Sequence, residues 1–218
     1  MNDKKVTLKR RGFLKAAGAT IATVALMSKT SEASNEKNKE FGFYIDVDKC
    51  YGCMSCVVAC AEENHVPLNS FRTKVRRQVE NKGKIIFVPI QCNHCINPPC
   101  VKPCPVNATY KGPDGLVVID ENVCIGCGKC VKACPYNARF LDPIRGIANK
   151  CSFCDHRIYS GKLPACVEAC PTTAKIFGDL NSDGEVSKSI KANKTSVRNP
   201  EFKTKPKIFF KSLPKKSN

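Results

Sequence analysis

Cys124-Ile125-Gly126-Cys127-Gly128-Lys129-Cys130-Val131-Lys132-Ala133-Cys134-Pro135 sets four cysteines and a proline into one short run. The two-residue gaps let a loop wrap three thiols around one corner of a small inorganic body, with backbone N–H groups turned inward. The three-residue gap then carries the fourth thiol a helical turn further on. Working outward, the same grouping recurs as Cys50-x2-Cys53-x2-Cys56-x3-Cys60, Cys92-x2-Cys95-x4-Cys100-x3-Cys104-Pro105 and Cys151-x2-Cys154-x11-Cys166-x3-Cys170-Pro171. These four quartets use all 16 cysteines of the chain.

Two bland chemistries compete for so many thiols. A disulfide framework would need every cysteine paired off in bridges, and tetrathiolate zinc would need two Cys-x2-Cys knuckles per ion. Here each knuckle runs on through Cys-x3-Cys, and three quartets close on Cys-Pro. That is the signature of 4Fe-4S ligation, and the first and third quartets have bacterial ferredoxin spacing, with Ala61 replacing the trailing proline in the first. The expectation is four 4Fe-4S clusters, with zinc and disulfides excluded.

The chain has 218 residues, no Trp and 7% aromatics, room for one or two small domains whose packing alone would hold little. Its formal charge of +17 suggests nucleic acid or an acidic membrane. Residues 1–33 hold seven Lys/Arg and two Asp/Glu, so their removal leaves about +12. Four dianionic clusters add roughly −8. Much of the basic excess therefore neutralises buried inorganic anions, and nucleic-acid binding loses its support.

Lys9-Arg10-Arg11-Gly12-Phe13-Leu14-Lys15, the mildly apolar run from Ala16 to Met27 and Ser31-Glu32-Ala33 resemble a twin-arginine export signal covering residues 1–33. The apolar run is too short for a membrane anchor, which needs about twenty residues. Folded export suits a metalloprotein, because clusters inserted in the cytoplasm protect thiols that an oxidising compartment would join. The expected location is periplasmic, with no transmembrane span of its own.

Linker lengths decide which quartets share clusters. Nineteen residues separate Cys104 from Cys124, enough for a hairpin turning at Pro113-Asp114-Gly115 and running through Leu116-Val117-Val118-Ile119-Asp120. This pairs the second and third quartets and leaves the first and fourth to each other. The last Cys of each quartet ligates the partner cluster. The sets are then Cys50/Cys53/Cys56/Cys170, Cys60/Cys151/Cys154/Cys166, Cys92/Cys95/Cys100/Cys134 and Cys104/Cys124/Cys127/Cys130. The fold class is α+β: two nested ferredoxin-like units, residues 41–91 with 145–180 and residues 92–144, followed by a basic extension, 181–218.

Phe43–Asp48 and Lys84–Ile90 alternate as strands and read as hairpin edges. Arg72–Arg77 reads as a solvated strand face rather than an acidic-partner dock, and Lys203–Lys216 as a disordered or partner-wrapped terminus rather than a lipid-binding tail. His94 lies inside a complete quartet, where its role is a hydrogen bond beside the cluster; His65 and His156 have no stronger claim. No nucleophile–base pair or phosphate loop is present, so a non-catalytic chain is expected.

Beyond the quartets, the chain carries Cys92-Asn93-His94-Cys95-Ile96-Asn97-Pro98-Pro99-Cys100, Ala133-Cys134-Pro135-Tyr136-Asn137-Ala138-Arg139-Phe140, Lys150-Cys151-Ser152-Phe153-Cys154, Gly161–Pro171, Phe177-Gly178-Asp179-Leu180 and Thr204-Lys205-Pro206-Lys207. In these it resembles the four-cluster iron–sulfur (beta) subunits of the dimethyl-sulfoxide-reductase superfamily of molybdopterin oxidoreductases. With its leader it is most similar to the tetrathionate-reductase and formate-dependent nitrite-reductase types. The resemblance implies an electron-transfer role linking a molybdopterin catalytic subunit, facing the Cys50 cluster, to a polytopic quinol-handling membrane subunit, nearest the Cys104 cluster. A freely diffusing exported polyferredoxin is the alternative.

Changing Arg10 and Arg11 together to Lys is expected to leave cluster-loaded precursor in the cytoplasm. Normal periplasmic accumulation of the double variant, read by fractionation and iron content, would exclude the twin-arginine route.

Overall fold

The computed structural model describes residues 39–79 and 83–214; the leader lies outside the described residues, as do 215–218. The residues from Lys39 onward form one unit.

Strand β1 (Phe41–Asp46) is buried from Gly42 to Asp46, with Phe43 and Ile45 wholly enclosed. A strand buried on both faces needs partners on both edges. It pairs antiparallel with β8 (Lys175–Asp179) and parallel with β10 (Ile208–Lys211), which in turn carries β9 (Thr195–Ser196). The sheet order is β8-β1-β10-β9. This corrects two expectations. Strand β1 is interior rather than a hairpin edge. The lysine-rich C-terminal stretch is not a free terminus as far as it is described, because Lys207, Ile208 and Phe210 are buried and their strand is central. The apolar alternation of Ile208 and Phe210 outweighs the flanking charge.

Three hairpins complete the strands: β2 (Thr73–Val79) with β3 (Ile85–Gln91), β4 (Thr109–Lys111) with β5 (Val117–Ile119), and β6 (Arg139–Leu141) with β7 (Ala148–Lys150). The β4–β5 turn contains Pro113-Asp114-Gly115, where Leu116 N–H donates to Asp114 Oδ1 and Gly115 has φ +74°. Strand β2 is a partly solvated face, yet its first residue Thr73 is buried.

Helices are short because prolines stop them. The first quartet, with Ala61 after its last cysteine, carries the nine-residue α1 (Ser55–Glu63). In the others, Pro135 and Pro171 follow the last cysteine, so α2 (Lys129–Lys132) and α4 (Ala165–Glu168) have four residues each. Helix α3 (Asp155–Ile158) follows Cys154, and α5 (Glu185–Ala192) covers β8 and β1. Helices α1 and α4, from the first and fourth quartets, pack together. Arg157 on α3 ties them by pairing with Glu63 at 2.6 Å and with Glu168.

Replacing Phe210 by Ala is expected to cost about 3–5 kcal/mol, read as earlier bleaching of cluster absorbance on anaerobic heating. The half-buried neighbour Phe209 should cost less when truncated. Equal effects would deny β10 its place in the core.

Candidate iron–sulfur sites

All sixteen cysteines carry free thiols. Their loops share one backbone device: the residue before the second cysteine of every quartet has positive φ, Gly52 (+81°), His94 (+41°), Gly126 (+67°) and Phe153 (+63°). A left-handed residue there turns successive N–H groups toward the space between the thiols, forming an anion-binding nest. Glycine suits the position. A Cβ at Gly126 would lie 2.0 Å from Gly146 O, and one at Gly52 would meet the Phe87 ring at 2.5 Å. His94 and Phe153 accept a left-handed cost of about 1 kcal/mol each, and they stack on one another at 3.9 Å between ring centroids.

Cys50, Cys53, Cys56 and Cys170 line one small pocket together with Lys175. Cys104, Cys124, Cys127 and Cys130 line another. Of the other eight thiols, all but the half-buried Cys134 are buried. Burial, and then the neighbouring Cys166 and Cys154 thiolates, push Cys60 up to about 12. Burial also takes Cys95 to about 12, against a hydrogen bond from Thr204 and with Cys92, Cys100 and Cys134 as its thiolate neighbours. Cys151 feels Cys60 and Cys166 most strongly, then Cys92. The order of the groups follows from such neighbours: Cys56 lies by Cys166, Cys151 by Cys92, and Cys100 packs with Cys130.

The thiols receive hydrogen bonds as thiolates would. Phe153 N–H donates to Cys151 Sγ and Ala148 N–H to Cys124 Sγ, both at 3.4 Å. At Cys104, burial acts to raise the pKa, but N–H groups of Thr109, Val106 and Ala108 outweigh it and lower the value. Asn64 Nδ2 lies 3.8 Å from Cys60 Sγ and 3.7 Å from Cys154 Sγ, which brings thiols of the first and fourth quartets to one amide. Arg72 orients that amide by donating to Asn64 Oδ1 at 2.9 Å, and to Asn149 at 2.8 Å. Part of the basic stretch thus serves the interior rather than a solvated face.

His94 is fully buried and held neutral, mainly by burial and then by the Lys150 charge. Its Nδ1 accepts from Val117 N–H at 3.1 Å, so Nε2 carries the proton and donates to Cys151 O at 2.8 Å. The ring therefore braces quartet two against quartet four and β5. Thr204 was quoted in the sequence but had no role there; it meets Tyr136 Oη at 2.5 Å and accompanies Cys95. His156 pairs with Glu63 at the surface.

The interior also shows what kind of guest it suits. Among the described residues, the buried side-chain polar atoms without partners are Gln91 Nε2, Asn93 Nδ2, Arg139 Nε and Arg139 Nη1. All are N–H donors, and all sit beside quartets two and three or the strands leading from them. Orphaned buried donors are costly unless something accepts from them. Anionic sulfide clusters held by thiolates supply such acceptors, so these residues fit 4Fe-4S clusters.

Comparison with known proteins agrees. The 4Fe-4S dicluster domain family matches residues 83–180, which contain quartets two to four. The chain is 50% identical to a tetrathionate reductase subunit of Archaeoglobus fulgidus over 82% of this chain and 84% of that protein. It is 37% identical to the corresponding tetrathionate reductase subunit of Salmonella typhimurium over 97% of this chain and 89% of the other. It is 42% identical to a thiosulfate reductase electron transfer subunit of Salmonella typhi, covering 67% and 80%. With its cysteine loops, its donor-rich interior and these relatives, the chain belongs to the family of 4Fe-4S iron–sulfur subunits that includes those of tetrathionate reductase.

Proposed function

We propose that this chain is the electron-relaying subunit of a multi-subunit anaerobic reductase of the tetrathionate, polysulfide or thiosulfate type, and is itself non-catalytic. Its ligand sets are Cys50/Cys53/Cys56/Cys170, Cys60/Cys151/Cys154/Cys166, Cys92/Cys95/Cys100/Cys134 and Cys104/Cys124/Cys127/Cys130, in two nested ferredoxin-like units. When bound, the four 4Fe-4S clusters supply one-electron redox chemistry.

The observation that carries this reading is the gradient of thiol exposure. Cys53 and Cys127 are the exposed cysteines, and they belong to the first and last sets. Every thiol of the second set is buried, and the third set is buried except for the half-buried Cys134. Such an order keeps solvent from the inner thiols and leaves the terminal sets open to partners. Apolar side chains stand exposed near each open end: Tyr51, Met54 and Val58 close to Cys53 in sequence, and Ile125 in the Cys127 loop with Leu141 at the end of β6 and Ile144 just past it. Exposed apolar groups flanking a thiol suit docking by another protein of the complex.

In the proposed complex, the Cys50 set faces a molybdopterin catalytic subunit and the Cys104 set faces a quinol-handling membrane subunit. The relatives' names support a complex, and the leader supports the outer face of the cytoplasmic membrane. Among the described residues no helix is long and apolar enough to cross a membrane, so attachment rests on partners.

Anaerobically purified protein is expected to contain about sixteen iron and about sixteen acid-labile sulfide per chain, without stoichiometric zinc. Zinc without sulfide would overturn the reading. Cys127→Ser is expected to convert one 4Fe-4S centre to 3Fe-4S, seen by electron paramagnetic resonance. It should impair quinol-linked turnover of the complex more than turnover with an artificial donor, and equal loss with both donors would contradict the order of the sets.

A further inference from the structure

Among the described residues, three cations are buried where no carboxylate meets them. Lys175, Lys150 and Arg139 retain 2%, 4% and 5% of their surface. None of them has an ion-pair partner among the described residues. Lys175 Nζ donates to Gln91 Oε1 at 2.8 Å, Lys150 Nζ to Cys151 O at 2.8 Å and Arg139 Nη2 to Thr109 Oγ1 at 3.0 Å. These acceptors are neutral. Arg139 has two further buried N–H groups, at Nε and Nη1, with no acceptor. A buried charge left with neutral partners is strongly destabilising, so each of the three calls for an anion close by.

Their positions are systematic. Arg139 and Lys175 are each the fifth residue after the closing cysteine of a quartet, Cys134 and Cys170, and each opens a strand, β6 and β8. The Cys-Pro turn carries the chain away from one thiol group and sets this residue facing the next. Lys175 lines the cavity of Cys50, Cys53, Cys56 and Cys170, and it also has Cys166, Cys151 and Cys60 as neighbours. Lys150, directly before Cys151, also has Cys92, Arg139 and Cys100 as neighbours. Arg139 has Cys100, Cys92 and Cys130 as neighbours. Each cation therefore has thiols of two successive sets as neighbours: first and second, second and third, third and fourth.

We propose that Lys175, Lys150 and Arg139 are fixed counter-charges interleaved with the four clusters, one at each junction, and that each raises the reduction potentials of the two clusters it separates. This rests on the ligand sets of the preceding subsection. Reduction adds one electron to a cluster and no proton, so the cluster becomes more anionic by one charge. A cation in the low-dielectric space between two clusters stabilises that reduced form on either side. The arrangement eases electron entry at each junction while masking repulsion between neighbouring anions.

The test is an anaerobic titration of the purified, cluster-loaded full chain with dithionite, following each centre by electron paramagnetic resonance. Lys175→Met, Lys150→Met and Arg139→Met remove the charges, and Lys175→Arg, Lys150→Arg and Arg139→Lys keep them. Wild-type protein with four titrating 4Fe-4S centres and sixteen iron establishes the underlying reading first; fewer centres would defeat that reading and not the charge assignment. Each Met variant should then make two centres at least tenfold harder to reduce, a shift of about 59 mV for one electron. The charge-keeping variants should stay near wild type. The affected pairs should overlap in sequence, with Lys150→Met sharing one centre with Lys175→Met and the other with Arg139→Met. A uniform shift of all four centres, a shift of one centre alone, or no shift overturns the proposal. If a Met variant loses iron, its charge-keeping partner decides: iron retained there supports the counter-charge, and iron lost there assigns the residue a packing role instead.

Discussion

Gathering sixteen thiols into four groups inside one small protein is the demand to which the rest of the structure answers. A buried thiol resists ionisation, as Cys60 and Cys95 show by rising to about 12. As ligands they must nevertheless be thiolates. The loops meet this by turning N–H groups inward at a left-handed residue before each second cysteine, even where that residue is histidine or phenylalanine. Short helices, hairpins and Cys-Pro turns are what remains of the chain once those loops are set, which is why regular elements are brief and the largest sheet has four strands.

Buried charge is the second consequence. An interior that accepts several inorganic anions has to offer donors and cations where an ordinary core offers methyl groups. Orphaned N–H groups on Gln91, Asn93 and Arg139, and unpaired lysines at 150 and 175, would be faults in an apolar core. Around anionic sulfur they are complementary. The same logic accounts for part of the chain's formal basicity, because some of its charge faces inward.

Connections between loops are made by residues that hold no iron. Neutral His94 joins Val117 to Cys151 O, Arg72 and Asn64 reach two sulfurs from different quartets, and the segment around Thr204 hydrogen-bonds both the second loop and β1. Ile96 and Asn97 N–H groups donate to Lys205 O and Thr204 O, and Phe43 N–H donates to Lys207 O. The C-terminal stretch is thus a strap that fastens a cluster loop to the central sheet.

Cysteine spacing by itself determined the chemistry, because gaps of two and three residues limit which sulfurs can face a common centre and no other ligand class fits that recurrence. The hairpin around Pro113-Asp114-Gly115 was legible for the same local reason, as was the strand character of Phe43–Asp46, although the strand read through to Asp48 gives way to a 3-10 turn at Val47–Lys49. Only the tertiary structure decided that β1 is interior and that the lysine-rich end lies beside it, because the pairing joins residues as distant as Asp46 and Lys211, 165 positions apart, and leaves no local pattern. Nor does sequence separate Lys175, Lys150 and Arg139 from the chain's other 33 basic residues. Their meaning comes from burial against thiols of two quartets at once, a property of the folded arrangement and not of any neighbouring residue.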